Sequence, residues 1–159
     1  MRIRSTSAAP QGARQHVRPA GFVTRNLLNK SVAALASIGI SLYGSRMLWV
    51  RGRSTGQWRR TPVNPLTLRG ERFLVAPRGH VQWTKNLRAG GTGELRLGRR
   101  VERFTATEVA DADKVDILRA YLRRWAFEVG VFFDGVGADS PDSELARISP
   151  RHPVFRITV

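Results

Sequence analysis

Two stretches near the middle of the chain carry side chains suited to holding an anion. The first reads Gly52-Arg53-Ser54-Thr55-Gly56-Gln57-Trp58-Arg59-Arg60-Thr61-Pro62-Val63-Asn64-Pro65-Leu66. The second reads Ala76-Pro77-Arg78-Gly79-His80, with Trp83 and Asn86-Leu87 just behind it. Each joins an apolar, strand-like run to a turn rich in glycine, arginine and hydroxyl side chains. Guanidinium forks, hydroxyls and converging backbone N–H groups recognise phosphates and carboxylates. Either turn alone is an ordinary basic loop, since glycine-rich turns with Arg and Thr are common. Both together are close enough in sequence to meet at one end of a small sheet.

The wider composition agrees with an anionic partner and removes several chemistries. Of 159 residues, 27 are Lys or Arg against 12 Asp or Glu, a formal net charge of +15. Such a surface attracts nucleic acid, anionic membrane or acidic small molecules. Lys30, Lys85 and Lys114 are the only lysines, so the charge is nearly all arginine, the residue suited to bidentate anion contacts. A GC-rich genome produces the same bias. There is no cysteine, hence no disulfide, thiolate metal site or cysteine nucleophile. His16, His80 and His152 are too scattered to form a ligand set, which argues against zinc and leaves only a lone axial histidine for haem.

The uncharged run Ser31 to Ser45 is shorter than the ~20 residues of a spanning helix. The amino terminus lacks the order of charge, long apolar core and small-residue cleavage site of a signal peptide. A cytoplasmic protein is expected, with the basic amino-terminal region leaving peripheral membrane contact open.

The elements that must position the two turns follow from periodicity. Residues 1–21 hold Arg2, Arg4, Arg14 and Arg18 among small and polar residues and read as a disordered basic tail. Residues 22–159 read as one domain, a size that buries about two-thirds of its unfolded surface. Val23, Leu27, Leu28, Val32 and Leu35 predict a first helix over 22–37. Met47 to Val50 predicts a strand, followed by a turn over 51–57. Arg59–Leu68 and Arg72–Ala76, separated by Arg69-Gly70-Glu71, predict a hairpin. Pro62 and Pro65 require its first strand to be an edge, bulged or bent. Gly79–Arg88 predicts a loop with a short helix. Glu94–Leu97 and Val101–Val109 predict a second hairpin across Gly98-Arg99-Arg100.

The clearest helix has Val115, Leu118, Leu122, Trp125, Val129 and Phe132 on one stripe, capped by Asp111 or Asp113. Residues 134–153 read as a loop with one turn starting at Ser140-Pro141, and Val154–Val159 as a last strand. His80 is expected to face solvent, and Glu128 and Asp134 to lie at the surface or cap. Five or six short strands in hairpins, with helices at both ends, predict an antiparallel α+β domain, a small barrel.

The order Gly-Arg-x-Thr-Gly-Gln, Arg, Val-Asn-Pro-Leu, apolar strand, Ala-x-Arg-Gly, Trp and Asn-Leu resembles the deazaflavin-dependent nitroreductase family over residues 46–110. The resemblance implies a split β-barrel of the flavin-reductase and pyridoxamine-phosphate-oxidase type that binds coenzyme F420, a deazaflavin with a phosphate and an oligoglutamate tail. It implies that Arg53, Ser54, Thr55, Gly56, Gln57, one of Arg59 and Arg60, and Pro62 hold the phosphate and tail. Backbone from Val75 through Ala76, Pro77 and Arg78 to Gly79 would run beside the ring, with Trp83 and Asn86 positioning that loop. Ser54 stands where a lysine is common in the family. Pro77 stands where nitroreducing members carry a serine, and two residues are added between Gln57 and Asn64. The family's late aromatic residues over the substrate pocket are matched by Tyr121, Trp125, Phe132 and Phe133, whose helical spacing equally suits a core.

The implied activity is hydride transfer from the reduced deazaflavin to a quinone, nitro compound or activated double bond, with no obligatory catalytic side chain and Tyr121 as candidate proton donor. The expected partner is therefore a small-molecule electron acceptor, with monomer and homodimer both open. Competing readings are FMN or haem in the same barrel, a carrier of F420 without turnover, and a basic nucleic-acid-binding barrel using Trp49, Trp58 and Trp83. Nucleic acid is not expected, because along the sequence the arginines concentrate in turns and form no stripe with alternating aromatics.

Overall fold

The computed structural model describes residues 44–159. The basic tail expected over 1–21 and the helix expected over 22–37 lie outside the described residues. Seven strands form one antiparallel sheet: β1 (Arg46–Arg51), β2 (Trp58–Val63), β3 (Leu66–Leu68), β4 (Glu71–Val75), β5 (Thr92–Leu97), β6 (Arg100–Glu108) and β7 (Val154–Thr158). Among the described residues three α-helices accompany it: α1 (Gln82–Gly90), α2 (Val115–Val129) and α3 (Asp142–Ile148). The strand order is β2-β1-β5-β6-β7-β4-β3.

The single strand expected over 59–68 is in fact two. β2 and β3 stand at opposite edges of the sheet, yet only Asn64-Pro65 separates them. Proline offers no amide to a ladder and restricts the residue before it, so pairing stops there. A sheet whose two edge strands are joined by two residues must curl until those edges meet. The result is a barrel tied at one end and split along the rest. Asn64 holds the junction, accepting the Ser45 hydroxyl at 2.7 Å. Pro62 lies on edge strand β2, where its missing N–H costs no bond.

The carboxy-terminal strand is central. β7 pairs with β6 on one side and β4 on the other, so it seals the sheet between the two hairpins predicted from sequence. Inside the curl, Leu48, Val50, Val63, Leu74, Leu95, Phe104, Phe155 and Ile157 pack together, and α1 closes them with Leu87 and Trp83. On the outer face of β3, β4 and β7, α2 and α3 build a second core around Phe73, Val75, Leu118, Leu122, Trp125, Leu145 and Val154. Burying one such Leu or Phe contributes about 1.5–3 kcal/mol.

The stripe of α2 is as expected up to Val129. There the helix passes into a 3₁₀ turn over Gly130–Phe132, which leaves Phe132 at the surface and buries Phe133 instead. The aspartate cap is corrected as well. Lys114 occupies the cap position with no side-chain bond to the helix, and Asp111 takes the Lys114 ammonium at 2.6 Å. Lys114 is buried, so pairing its charge outweighs capping an exposed helix end. The expected turn after Ser140 is the helix α3, entered one residue later, while the Ser140 hydroxyl accepts the Gly137 amide at 2.9 Å.

Candidate functional site

The turn from β1 to β2 closes on itself. Gly52 donates to the Gln57 carbonyl and Gly56 to the Gly52 carbonyl, both at 2.8 Å, while the Gln57 amide reaches the Thr55 hydroxyl at 3.3 Å. Gly56 has φ +68°, which suits glycine. Gly52 is needed for space, because a Cβ there would stand 2.9 Å from Thr55 Oγ1. These bonds leave the amides of Ser54 and Thr55, and the side chains from Arg53 to Gln57, exposed to a ligand or water.

Arg51 of β1 donates to the Gly56 carbonyl at 3.0 Å, and a tether from α1 fixes the turn against the barrel. Asn86, buried on α1, accepts the Arg53 amide at 3.2 Å and its guanidinium at 2.9 Å, and Gln82 one helical turn earlier accepts the guanidinium at 2.9 Å. A guanidinium held by two neutral carbonyls keeps its full charge and its remaining N–H groups for an anion. Gln82 escaped sequence reading, because nothing local marks a surface glutamine as a partner for Arg53.

The second loop leads directly into α1, so Asn86 joins both stretches named from sequence into one end of the barrel. Ala76 donates to the Pro153 carbonyl at 2.9 Å, Gly79 to Ala76 at 3.1 Å, and Val81 to Gly79 at 2.9 Å. Gly79 has φ +84°, and a Cβ there would stand 3.0 Å from the Arg151 carbonyl oxygen. His80 is exposed, as expected, with Nε2 on the Pro150 carbonyl at 2.9 Å. Beneath the loop the buried His152 faces the Ala76 carbonyl through Nδ1 at 3.4 Å and stacks on Phe133 at 4.2 Å. Burial, with Lys114 and Arg151 nearby, pushes the His152 imidazole below its ordinary value. No sequence signal linked residues 150–153 to this loop.

Strand register separates the two arginines that follow. Arg59 pairs with Val50 on the inward side that α1 covers, and its Cγ lies 3.9 Å from the Cβ position of Gly52. Arg60 pairs with Trp49 on the outer face, as Pro62 does with Met47, further toward the tied end. Among the late aromatic residues, Tyr121, Trp125 and Phe133 are core. Phe132 alone approaches the loop, with the Arg78 guanidinium 5.1 Å from its ring centre. Tyr121 is 2% exposed, and burial, helped by the Glu128 charge, raises its phenol far above the usual range, an effect that a hydrogen bond from Asn64 only partly offsets. Its hydroxyl has no route to a substrate, so the geometry gives the proton-donor role no support. A groove of about 630 Å³ on the outer face, lined by Trp58, Thr92, Glu94, Arg103 and Val159 among others, contains none of the residues assigned to the cofactor.

No set of three or more His, Cys, Asp and Glu among the described residues is placed to hold a metal ion. No helix among them is long and apolar enough to cross a membrane.

The model of the F420H(2)-dependent quinone reductase family matches residues 24–132, which include the whole of both loops and α1. The chain belongs to this family. It is thus an oxidoreductase whose cofactor is coenzyme F420. No curated protein sequence matches it significantly. Among solved structures, it is similar to a domain-swapped dimer at 16% identity, with 89% of this chain and 100% of that chain covered and a TM-score of 0.54. It is also similar to an F420-H2 dependent reductase (FDR-A) at 19% identity, covering 72% and 94% with a TM-score of 0.50. A third is Atu2129 of Agrobacterium tumefaciens strain C58, of unknown function, at 13% identity, covering 92% and 59% with a TM-score of 0.52. At these identities the likeness supports the split-barrel fold alone.

The donor set fits the cofactor's anionic part. Residues 44–70 contain six arginines, Arg46, Arg51, Arg53, Arg59, Arg60 and Arg69, and no carboxylate, and the partners of Arg53 are neutral amides.

Proposed function

We propose that this F420-dependent reductase binds its cofactor across the two loops joined by Asn86 and delivers a hydride to a quinone, nitro compound or activated double bond. The observation that carries the reading is Arg53, held by Asn86 and Gln82 beside the exposed amides and hydroxyls of Ser54 and Thr55. In this arrangement Arg53, Ser54, Thr55, Gly56 and Gln57 hold the phosphate and the start of the tail, with Arg59 on the same side. Arg60 and Pro62, on the outer face, do not take part. When bound, the reduced deazaflavin supplies the hydride, two electrons at once.

The chain's own contribution is binding, orientation and exclusion of water. The backbone from Val75 to Gly79 gives a stiff wall for the ring, because buried Val75 and Ala76 anchor it and the carboxy-terminal segment supports it from below. Arg78 adds charge at the rim. Trp83, packed 6.0 Å from Phe155, and Asn86 fix where that wall begins. Phe132 beside Arg78 borders the side from which an acceptor would approach. No side chain of the described site is placed as an obligatory acid, so solvent supplies the accompanying proton.

The test is oxidation of reduced F420 by the purified chain with menadione, a nitroaromatic and an activated alkene as acceptors. The reading predicts turnover with at least one acceptor class and tighter binding of F420 than of FMN. Tight binding with no oxidation by any acceptor makes the protein a carrier, and preference for FMN or haem overturns the cofactor placement.

A further inference from the structure

Pairing of β1 with β2 divides the arginines of the hairpin between two faces, and the outer one is not used by the cofactor reading. There Arg51 stands opposite Trp58, and Trp49 opposite Arg60. The four side chains form a chequered square of two tryptophans and two arginines. The Arg51 guanidinium lies 4.1 Å from the Trp58 ring centre, and Arg96 of β5 lies 4.2 Å from that of Trp49. The two indoles meet edge to face at 6.5 Å. Beyond them the sheet offers Arg103 and a row of threonines, Thr92, Thr105 and Thr158, in register across β5, β6 and β7. The acid of this patch, Glu94, has a side chain only 8% exposed and is held by Arg96 at 2.6 Å and Arg103 at 3.3 Å. The outward field is therefore positive. The groove of about 630 Å³ runs over this surface, bounded by Trp58 and Val159.

We propose that this outer face binds single-stranded nucleic acid. Unpaired bases stack on the flat guanidinium groups that Trp58 and Trp49 support and along the exposed edge of Trp58, phosphates lie along Arg51, Arg60, Arg96 and Arg103, and the threonine hydroxyls meet sugar or base edges. A small planar anion would fill the groove but leave the Trp49–Arg60 half of the square unused. An anionic bilayer would engage apolar side chains that project, whereas these indoles lie beneath guanidinium groups. A duplex hides its base faces and gains nothing from the tryptophans. Along the sequence these residues look like turn arginines and isolated aromatics. The strand register makes them a stripe.

The experiment is a titration of fluorescein-labelled oligothymidylate with the full chain, read by anisotropy and by tryptophan emission, at several salt concentrations. The account predicts saturable binding with quenched emission and an affinity that falls steeply with salt. Trp58→Ala should weaken it roughly tenfold. Trp58→Phe should restore most of that loss, and Arg103→Gln should weaken binding a few-fold with a shallower salt slope, about one charge less. Thermal melts confirm that each variant is folded. The proposal is overturned by absence of binding at low salt, or by Trp58→Ala binding as well as the unaltered chain. It is equally overturned by duplex DNA binding as tightly as the single strand, by AMP displacing the oligonucleotide, or by capture on phosphatidylglycerol vesicles without oligonucleotide binding.

Discussion

The turn between β1 and β2 and the loop after β4 share the helix α1 but are held in place differently. The first is closed by its own backbone and by the Arg51 guanidinium on the Gly56 carbonyl, exposes every residue from Arg53 to Gln57, and is joined to α1 through Arg53 to Asn86 and Gln82. The second has Val75 and Ala76 buried and rests on Pro150, Arg151, His152 and Pro153. On the proposed reading, one is an adaptable set of donors for a charged tail and the other a fixed wall for a ring. A hydride donor needs both, because charge gives affinity whereas a reacting carbon must be placed to within a fraction of an ångström.

The sharpest way to break this contrast is to cut the tether between the two loops. Asn86→Ala removes the acceptor for two Arg53 bonds and should weaken F420 binding by about 2–3 kcal/mol in a calorimetric titration, since bonds to a charged group are the strong ones. An unchanged affinity would mean that the first turn needs no support from α1.

Glycine substitutions separate wall from cradle. Gly79→Ala adds a Cβ against the Arg151 carbonyl at a positive φ and should cost about 1–3 kcal/mol of stability in urea melts. Gly56→Ala, also at positive φ but with nothing within 4 Å, should cost only the backbone strain of about 1 kcal/mol. Equal losses would erase the distinction.

The wall should also respond to pH through the buried His152. Its folded-state value is depressed, chiefly by burial, from an ordinary value of 6.5. Above 6.5 the ring is neutral in both states and its contribution to stability is whole. As the pH falls below 6.5 the unfolded chain takes the proton first, and that stability is lost down through the folded value. Urea midpoints at about pH 7 and about pH 5 should therefore fall more for the unaltered chain than for His152→Gln, on the ordinary linkage argument. Parallel midpoints would show that the wall does not depend on the neutral ring.

The smallest effect concerns the arginine pair. Arg59→Ala should weaken F420 binding by about 1 kcal/mol, and Arg60→Ala by less than about half of that, because an exposed pair across solvent is worth little. The opposite order would place the cofactor on the outer face.

The sheet and its hairpins were legible because each strand is bounded by glycine, proline or charged turn residues, as at Gly98-Arg99 and Arg69-Gly70. That the two stretches of the candidate site meet at one end of the barrel was legible too, since each is a contiguous turn beside a strand end. What failed depends on distant partners. Val154–Thr158 reads as a strand but not as the central one, and Val63 to Leu66 reads as continuous although the chain changes edges at Asn64-Pro65. Phe132 matches the helical stripe, yet the turn after Val129 rotates it toward Arg78. Gln82 and His152 carry no local pattern at all; only the folded chain brings them under the loops.

The central claim is that the exposed donors of the first turn hold the anionic end of the cofactor, and a titration of F420 against Arg53→Ala combined with Thr55→Ala addresses it directly. The predicted result is saturable binding to the unaltered chain that weakens by about 2–4 kcal/mol in the double variant, with folding unaffected. Coincident titration curves for the two proteins would contradict it.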